Sequence, residues 1–434
     1  VKPVVSVIFA GPQGSGKSTL AGRILYERGA VDEGDFSRMK RHARALGRGG
    51  TGAFAFITDT TLESRERGLT VEASVHDLET ERRRFYFIDA PGHAGYVKHA
   101  ASGAAAADAA VAAFDAAETA RSGVSAEGRE HLVLLGAMGV GRVVFAMTKM
   151  DACGYSSEVY DGAREAVERA LSELGLREWQ GAAYVPVSGA EGDGVTCAPA
   201  KAGWGGGRGL VGELEALEAP ERDEGGRFRM TIMRTFNMPG EGIVVSGQVV
   251  SGRVRVGDAV CIAPYPGQAV ARAEVGSIEW RRRAKDGASA GEFAGVLLTN
   301  LEAGLAARKI KKGFVAGGAD SPPAEAERFR ARIRVVDHPS RIHEGYTPYL
   351  HCHQAAVPCA LSGFEDVREA FTGKPLANEG YLRPGVEAAV WAAPAAPLAI
   401  ESASEFPRLG RFVLRDGRTV AVGECVEVVP RFAR

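Results

Sequence analysis

One stretch of the sequence decides how the first half of the chain folds: GPQGSGKS, at residues 11–18. It fits the P-loop pattern, follows the apolar run VVSVIFAG at 4–11, and opens the helical pattern KSTLAGRILYERG. Glycines in such a loop let backbone N–H groups point at the oxygens of a polyphosphate, and the following helix adds its positive end. The predicted phosphate contacts are Gly11, Gly14, Ser15, Gly16, Lys17, Ser18 and Thr19.

Further apolar runs recur at intervals that suit a sheet with crossover helices. They read RRFYFIDAP at 83–91, AAVAAFDA at 109–116, RVVFAMTK at 142–149 and AAYVPVSG at 182–189, with Ala-, Glu- and Arg-rich helical patterns between them. Alternating strands and helices predict a mostly parallel, doubly wound α/β sheet. In such a sheet, ligands bind at the carboxyl ends of the strands.

The end of the second predicted strand carries DAPGH, residues 89–93. Asp89 there is placed to reach a Mg²⁺ ion, and the N–H group of Gly92 is placed to bond a γ-phosphate. Beside a P-loop, this turn predicts the part of the site that detects the terminal phosphate.

The ends of the last two predicted strands carry features that select the base. Thr148, Lys149 and Asp151 form TKMD, in which the carboxylate can accept hydrogen bonds from guanine N1–H and the 2-amino group. An unpaired carboxylate in a dry pocket makes the wrong base costly. The backbone of Ser188-Gly189-Ala190 would face guanine O6. Four motifs in this order predict a GTP-binding domain.

After residue 222 the sequence pattern changes from alternating strands and helices to short β-branched runs. The polar, Gly-rich stretch 221–229 predicts a linker, and short β-branched runs with Gly or Pro turns follow it. These runs predict two all-β barrel domains. A second break at 317–330, with paired prolines, divides them, so the predicted domains are 1–222, 223–322 and 323–434.

The composition excludes several classes of protein. The 434 residues include 53 Lys+Arg and 54 Asp+Glu, a net charge of −1, and 45% are apolar, which argues against disorder and against a globally basic nucleic-acid binder. No uncharged apolar stretch is long enough to predict a membrane span. Six widely spaced cysteines predict reduced thiols and a cytoplasmic protein. The 56 glycines indicate many turns and close backbone approaches.

The motifs together resemble those of translational GTPases, most closely the elongation factor 1-alpha group. The likeness extends to ESRERGLTVE (63–72), FIDAPGHAGYVKH (87–99), GREHLVLLGAMGV (128–140), VPVSGAEGDGV (185–195), HPSRIHEGYTPYLHCH (338–353) and FPRLGRFVLRDGRTVAVG (406–423). It covers nearly the whole chain, and it implies a P-loop GTPase domain followed by two β-barrels. Switch I would span about 32–72 and switch II about 89–104.

The resemblance also implies roles for individual residues. The implied catalytic residues are Lys17, Thr70 and His93, with His93 orienting the attacking water. The implied Mg²⁺ ligands are Ser18, Thr70 and Asp89. The implied function is delivery of aminoacyl-tRNA to the ribosomal A site, with ribosome-stimulated hydrolysis of GTP to GDP. A guanine-nucleotide exchange factor would be a further partner, and the protein would be a cytoplasmic monomer that binds no membrane.

Departures from the family pattern keep alternatives open. Gly14 stands where the family usually has an acidic residue, and Thr148 where it usually has Asn. Gln248-Val249-Val250-Ser251-Gly252 stands for Arg-Val-Glu-Thr-Gly, and Val250 is expected to alter recognition of the charged tRNA 3′ end. The alternatives are a carrier of a release or ribosome-rescue protein that mimics tRNA, the GTPase subunit of a sulfate-activating enzyme, and a pseudo-GTPase used as a binding module.

Two weaker features stand outside these motifs. His351-Cys352-His353, with Cys359 and His338 nearby in sequence, invites a zinc hypothesis, but the spacing fits no standard zinc pattern and a packed barrel strand is the default. Arg281-Arg282-Arg283 and the basic stretch 38–48 are candidates for contacts with RNA phosphates or for solvated faces.

Overall fold

In a computed structural model, the chain divides at Pro220 into two units, Val1–Pro220 and Glu221–Arg434. The residues that the structure describes are 2–67, 70–204, 207–281, 283–302 and 305–432. Within these ranges, no helix is both long and apolar enough to cross a membrane.

The apolar runs of the first unit form one sheet, with side chains buried on both of its faces. Its strands are β1 (Val4–Ala10), β2 (Ser74–Glu79), β3 (Arg84–Asp89), β4 (Ala109–Asp115), β5 (Arg142–Thr148) and β6 (Tyr184–Pro186). They lie in the order β2-β3-β1-β4-β5-β6, and all pairs are parallel except β2–β3. The predicted mostly parallel α/β sheet is confirmed. The apolar runs do not predict the edge strand β2, because SVHDLE carries only two apolar residues.

Helices cover the sheet and fill the segment between β1 and β2. They are α1 (Lys17–Glu27), α2 (Glu33–Ala45), α3 (Gly52–Thr58), α4 (Leu62–Arg67), α5 (Val97–Ala105), α6 (Ala116–Ser122), α7 (Ala126–Ala137), α8 (Ser157–Leu174) and α9 (Leu210–Ala216). Side-chain caps fix where several begin; Ser156 Oγ, for example, accepts from the Val159 N–H at the start of α8. The helical patterns KSTLAGRILYERG, GREHLVLLGAMG and SEVYDGAREAVERALSELG predict α1, α7 and α8. Helices α2, α3 and α4 lie in the predicted switch I.

The second unit begins with a curved antiparallel sheet. Its strands and those of a small ribbon are β7 (Arg229–Met238), β8 (Gly242–Ser251), β9 (Arg253–Arg255), β10 (Ala259–Ala263), β11 (Ala271–Trp280), β12 (Arg283–Lys285), β13 (Gly287–Ser289), β14 (Phe293–Thr299) and β15 (Val315–Gly318). The main order is β10-β15-β7-β8-β14-β11-β12, and β10 also pairs with β11, so the six strands from β10 to β11 close on themselves and β12 extends from β11. Strands β9 and β13 form the ribbon.

A closed barrel follows in the same unit. Its elements are β16 (Ala326–Val335), β17 (Ile342–His343), β18 (Tyr349–Cys352), β19 (Ala355–Glu369), β20 (Tyr381–Leu382), β21 (Val386–Pro394), α10 (Pro407–Gly410), β22 (Arg411–Asp416) and β23 (Arg418–Pro430). The barrel order is β16-β21-β19-β18-β22-β23. The predicted β-rich second half is confirmed. The exact domain limits, 222/223 and 322/323, stay predictions.

A buried ion pair joins the two barrels of the second unit. The Arg229 side chain is 0% exposed, and its Nε donates to Glu401 Oε1 at 2.9 Å. Its Nη1 donates to the carbonyl oxygens of Phe228 and Ser321. The guanidinium carbon also lies 4.9 Å from the centre of the Phe406 ring. These contacts compensate a buried charge and couple the packing of the two barrels.

The Gln248–Gly252 departure lies beside this ion pair. Val250 is partly buried against an apolar cluster formed by Val315, Ala399, Phe406 and Leu409. Gln248 is buried, and its Oε1 accepts from Arg408 Nη1 at 3.2 Å. An apolar residue at position 250 therefore has a structural explanation in the packing between the barrels.

Candidate guanine-nucleotide site

The phosphate loop follows β1 at the carboxyl edge of the sheet, as the motif predicts. Gly11 has φ 137°, and a Cβ added there would lie 2.3 Å from the carbonyl oxygen of Ala113. Only glycine fits so close to β4. The loop ends at Gly16, which precedes α1 with φ 90°. A cleft opens beside it, and its lining residues are Gln13, Gly14, Gly16, Lys17, Ser18, Thr19, Ala55, Asp59, Thr70, Gly92 and His93.

Lys17 lies at the base of this cleft. Its side chain is buried, and Nζ donates to the carbonyl oxygen of Pro12 at 2.8 Å. Burial lowers the pKa of Lys17 to about 8, and the nearby Asp89 carboxyl opposes that shift. The ammonium group therefore lies in a poorly solvated place, where an incoming anion would stabilise its charge.

Two buried carboxyl groups face the lysine side of the cleft. Asp89, at the end of β3, is 0% exposed, and within the described part of the chain its carboxylate oxygens make no hydrogen bond of normal geometry, although the Thr58 and Ser18 hydroxyl groups are close enough to lower its pKa. Desolvation raises its pKa. Asp59, which follows α3, is also buried, and burial together with the Asp89 charge raises its pKa. Burial outweighs the nearby positive charges of Lys17, for Asp89, and of Arg65 and Arg48, for Asp59.

Hydroxyl groups complete this cluster. Thr70 Oγ1 donates to Asp59 Oδ1 at 2.9 Å and lies 3.0 Å from Ser18 Oγ. The structure therefore brings together the predicted metal ligands Ser18, Thr70 and Asp89. It adds Asp59, which the sequence analysis misses because a lone carboxylate in the predicted switch I carries no motif of its own.

The turn after β3 packs directly on the phosphate loop. A Cβ added to Gly92 would lie 2.4 Å from Lys17 Nζ and 2.9 Å from both Gln13 N and the Gly11 carbonyl oxygen. His93, the next residue, is half-buried at the cleft, and its Nδ1 accepts from the Gly95 N–H at 3.0 Å. With Nδ1 as acceptor, the ring proton is on Nε2, which is then a hydrogen-bond donor.

Thr148 connects the base-recognition motif to the phosphate loop. Its Oγ1 lies 2.8 Å from the Ser15 carbonyl oxygen and 3.0 Å from the Phe114 carbonyl oxygen. One hydroxyl has a single proton, so it donates to one of these acceptors at a time. Threonine therefore makes a hydrogen-bonded connection between β5 and the phosphate loop from the position where Asn is usual.

The other predicted base contacts lie beside Thr148. Lys149 has φ 59°, and its Nζ lies 2.9 Å from Asp115 Oδ2. Ser188 is buried, and its Oγ donates to Asp151 Oδ1 at 2.6 Å. The serine therefore orients the carboxylate that the motif assigns to guanine.

The remaining predicted contacts differ in how closely they are packed. A Cβ on Gly189 would lie 3.1 Å from Thr19 Cγ2, so this loop sits against the start of α1. Gly14 has φ 75° and nothing within 4 Å of a Cβ. The position where the family has an acidic residue is therefore open, and the cost of a side chain there would come from the backbone conformation alone.

Two residues of the zinc hypothesis, Cys352 and His353, instead contact backbone carbonyl oxygens. Residues two apart on a regular strand share a face, but strand β18 ends at Cys352 and His353 has φ 40°, so His351 and His353 do not lie on one continuous strand. The Nε2 atom of His353 lies 2.8 Å from the Ala399 carbonyl oxygen, and burial lowers its pKa to about 4. Cys352 Sγ donates to the Leu409 carbonyl oxygen. Among the described residues, no three His, Cys, Asp or Glu side chains group to hold a metal ion.

The basic segments give a mixed result. The stretch 38–48 runs along α2 and past its end, and Arg38 pairs with Asp35 on the same helix. Arg281 and Arg283 lie at the β11–β12 turn, whereas Arg282 is outside the described residues. Contact with RNA stays a prediction for both segments.

Comparison with known families agrees with this geometry. Residues 2–239 match the elongation factor Tu GTP binding domain, and residues 328–426 match the GTP-eEF1A C-terminal domain-like family. Elongation factor 1-alpha of Methanocaldococcus jannaschii is 35% identical over 430 residues, which cover 98% of each chain. The chain belongs to the elongation factor 1-alpha family. Elongation factor 1-alpha of Pyrobaculum calidifontis is 37% identical over 435 residues, covering 99% of this chain and 96% of that one.

Solved structures show the same fold in more distant proteins. The GTP-bound GTPase-like domain of Saccharomyces cerevisiae Ski7 superposes with a TM-score of 0.81 at 16% identity, covering 98% of this chain and 97% of that one. Elongation factor SelB of Methanococcus maripaludis, in complex with a GTP analogue, gives 0.68 at 18% identity, covering 99% and 80%. Membership of a GTP-binding translation-factor family and the shared fold are thereby established for this chain.

Proposed function

We propose that this member of the family binds GTP in the cleft between the phosphate loop and the turn after β3, and hydrolyses it on the ribosome while delivering aminoacyl-tRNA. The observation that carries the proposal is the likeness to elongation factors 1-alpha, at 35% to 37% identity over 98% to 99% of the chain. A cleft lined by the phosphate loop, Thr70 and Gly92 supports it.

The phosphates are bound by the loop and by Lys17. The loop and the start of α1 line the cleft, so their backbone N–H groups would bind the phosphate oxygens, and the buried Lys17 also lines the cleft. The Gly92 backbone approaches the same point, so its N–H would detect the terminal phosphate. Binding a polyphosphate here would neutralise the lysine charge that burial now destabilises.

The oxygen cluster fits a magnesium ion. Both carboxylate oxygens of Asp89 are buried without a hydrogen bond of normal geometry, and the hydroxyl groups of Ser18 and Thr70 lie 3.0 Å apart beside Asp59. Hard oxygen donors of this kind suit Mg²⁺. Ser18, Thr70 and Asp89 would hold it, with Asp59 orienting Thr70. When bound, the ion supplies charge neutralisation to the β- and γ-phosphate oxygens.

Guanine would be recognised by the two loops at the ends of β5 and β6. Asp151 would accept from N1–H and the 2-amino group, with its other contact held by Ser188. The N–H groups of Gly189 and Ala190 would donate to O6. Thr148 would hold this region against the phosphate loop.

Hydrolysis would depend on positioning more than on covalent chemistry. In the present arrangement the Nε2–H of His93 is a donor, which suits orienting a water or an oxyanion rather than removing a proton. After the γ-phosphate leaves, Thr70 would lose the contacts with the phosphate and the metal ion that hold it beside Ser18. The segments about 32–72 and 89–104 would then act as the two switches.

The cargo and partners belong to the same proposal. Aminoacyl-tRNA is preferred over a release or rescue protein because the relatives at 35% and 37% identity are named elongation factors. The Val250 exchange, the main observation for a protein cargo, is accounted for by packing between the barrels. We also propose that the protein works as a cytoplasmic monomer with the ribosome and an exchange factor as partners. Its domains would be 1–222, 223–322 and 323–434.

Single-turnover GTP hydrolysis with and without ribosomes tests the catalytic part. His93→Ala is expected to lose ribosome-stimulated hydrolysis by about 100-fold, the lower range for a positioned proton-transfer or water-orienting group, while GDP affinity changes little. His93→Gln keeps an amide donor and should retain an intermediate rate. An unchanged rate in both variants would contradict the role of His93.

Filter binding with a GTP analogue tests the cargo. Charged tRNA should be retained much more strongly than uncharged tRNA. Equal and weak retention of both would contradict aminoacyl-tRNA delivery, and it would favour a protein cargo.

A further inference from the structure

Arg23, on α1, reaches from the helix to the loop that is assigned to guanine O6. Its side chain is 12% exposed. Its Nε donates to the Gly189 carbonyl oxygen at 2.7 Å, and its Nη2 donates to the Ala190 carbonyl oxygen at 2.6 Å. A charged, planar fork that holds two successive carbonyl groups fixes the loop more strongly than neutral hydrogen bonds would.

The surroundings of Arg23 hold the guanidinium group in one orientation. Nη1 donates to Glu27 Oε1 at 2.6 Å, one helical turn along α1. The ring of Phe54, on α3, lies 4.2 Å from the guanidinium carbon. Gly192 has φ 89°, and a Cβ there would lie 2.8 Å from Arg23 Nη1. The absence of a side chain at position 192 therefore leaves the space that the fork occupies.

Because the peptide group is planar, the hydrogen bond from Arg23 to the Gly189 carbonyl oxygen also orients the Ala190 N–H. A trans peptide group is planar, and its C=O and N–H point in opposite directions. Drawing the Gly189 C=O toward α1 therefore turns the Ala190 N–H away from it. In the described part of the chain, neither the Gly189 nor the Ala190 N–H has a hydrogen-bond acceptor, so both are available to a ligand.

The Ala190 carbonyl group is connected to Asp151, the carboxylate proposed to bind guanine. The Ala190 C=O, held by Arg23, shares its peptide group with the Glu191 N–H, which donates to Ser188 Oγ at 3.0 Å. Ser188 Oγ in turn donates to Asp151 Oδ1 at 2.6 Å. A continuous chain of hydrogen bonds and one peptide group thus runs from Arg23 to Asp151.

We propose that Arg23 is a positioning residue for guanine selectivity, which orients the backbone of residues 189–191 toward the 6-oxo group and sets the orientation of Asp151 through Ser188. The proposal rests on the guanine binding proposed above. Because Phe54 lies in the predicted switch I, the same side chain connects base recognition to that segment. A substitution of Phe54 therefore changes base selectivity although the ring lies outside the predicted base contacts.

Calorimetric titration of the full chain with two nucleotides tests the proposal. The probes are GDP and the diphosphate of 2-aminopurine riboside, which keeps the 2-amino group but lacks both the 6-oxo oxygen and the N1–H. Arg23→Lys keeps the charge and loses the fork. It is expected to weaken GDP binding about tenfold, the equivalent of one or two lost hydrogen bonds, and to weaken the analogue less than about twofold.

The matched control is Arg28→Lys, at the exposed end of the same helix, where Arg28 Nη2 lies 3.4 Å from the Thr196 carbonyl oxygen. It should leave both affinities unchanged. Phe54→Leu removes the ring under the fork and should produce a smaller, GDP-selective loss. Thermal melting without nucleotide confirms that each variant is folded.

The outcomes separate the two proposals. An equal loss for GDP and the analogue in Arg23→Lys, or no loss for GDP, overturns the role of Arg23. Unchanged selectivity in Phe54→Leu overturns its connection to switch I. A wild-type chain that binds GDP no better than the analogue contradicts the proposed guanine site itself.

Discussion

Replacing Gly92 by Ala tests whether the turn after β3 and the phosphate loop form one site. The new Cβ would lie 2.4 Å from Lys17 Nζ and 2.9 Å from Gln13 N and the Gly11 carbonyl oxygen, all inside normal contact distance. The lysine end can move, but the two backbone atoms belong to the phosphate loop and cannot move without distorting it. Loss of one charge-assisted hydrogen bond to phosphate corresponds to about 1.5–3 kcal/mol, or roughly a 10- to 150-fold loss of affinity.

Equilibrium titration with GDP and with a non-hydrolysable GTP analogue measures this loss. Both affinities should fall at least about tenfold in Gly92→Ala, because Lys17 is displaced in either state. Gly141→Ala is the matched control, since nothing lies within 4 Å of a Cβ at that position and its φ is not in the left-handed region. If Gly92→Ala binds both nucleotides as tightly as the control does, the two segments do not form a common phosphate site.

The second unit yields two predictions on stability, both measured by urea denaturation. The unfolded chain protonates His353 below about pH 6.5 and the folded chain only near pH 4, so folding stability should fall as the pH drops between these values, by up to about 3 kcal/mol at the lower end. His353→Gln should remove that part of the pH dependence, and an identical profile in the variant would contradict the assignment. Glu401→Gln leaves the buried charge of Arg229 uncompensated and should cost about 3 kcal/mol, whereas Glu405→Gln, in an exposed ion pair, should cost less than about 1 kcal/mol. Equal losses of stability in the two glutamate variants would contradict the claim that leaving Arg229 buried without its partner carries an extra free-energy cost.

Local chemistry explains why so much of the nucleotide site is predictable. The phosphate loop, DAPGH and TKMD each follow a strand, and their function depends on backbone conformations that short motifs specify. Gly11 and Gly92 illustrate this, since each is required by a backbone approach that no other residue allows. The alternation of apolar runs and helical patterns likewise predicts the mostly parallel sheet.

Other features depend on segments that are distant in sequence. Asp59 acquires its role by accepting from Thr70 and by lying near Asp89, 30 positions later along the chain, and no local pattern marks it. Arg23 is an ordinary helical residue until the loop at 189–191 packs against α1. His351 and His353 do not share one strand face, because the strand ends at Cys352 and His353 takes a left-handed conformation.

By itself, the sequence determined the order of the phosphate and base motifs, the α/β first half and the β-rich second half, because these follow from short-range conformational preferences and hydrophobic periodicity. The tertiary structure alone decided which side chains share a low-dielectric environment. It placed Asp59 beside Thr70, Val250 between two barrels and Arg23 against the loop at residues 189–191. Burial, charge compensation and hydrogen bonding between remote segments arise only when the chain is folded, so no single stretch of sequence can carry that information.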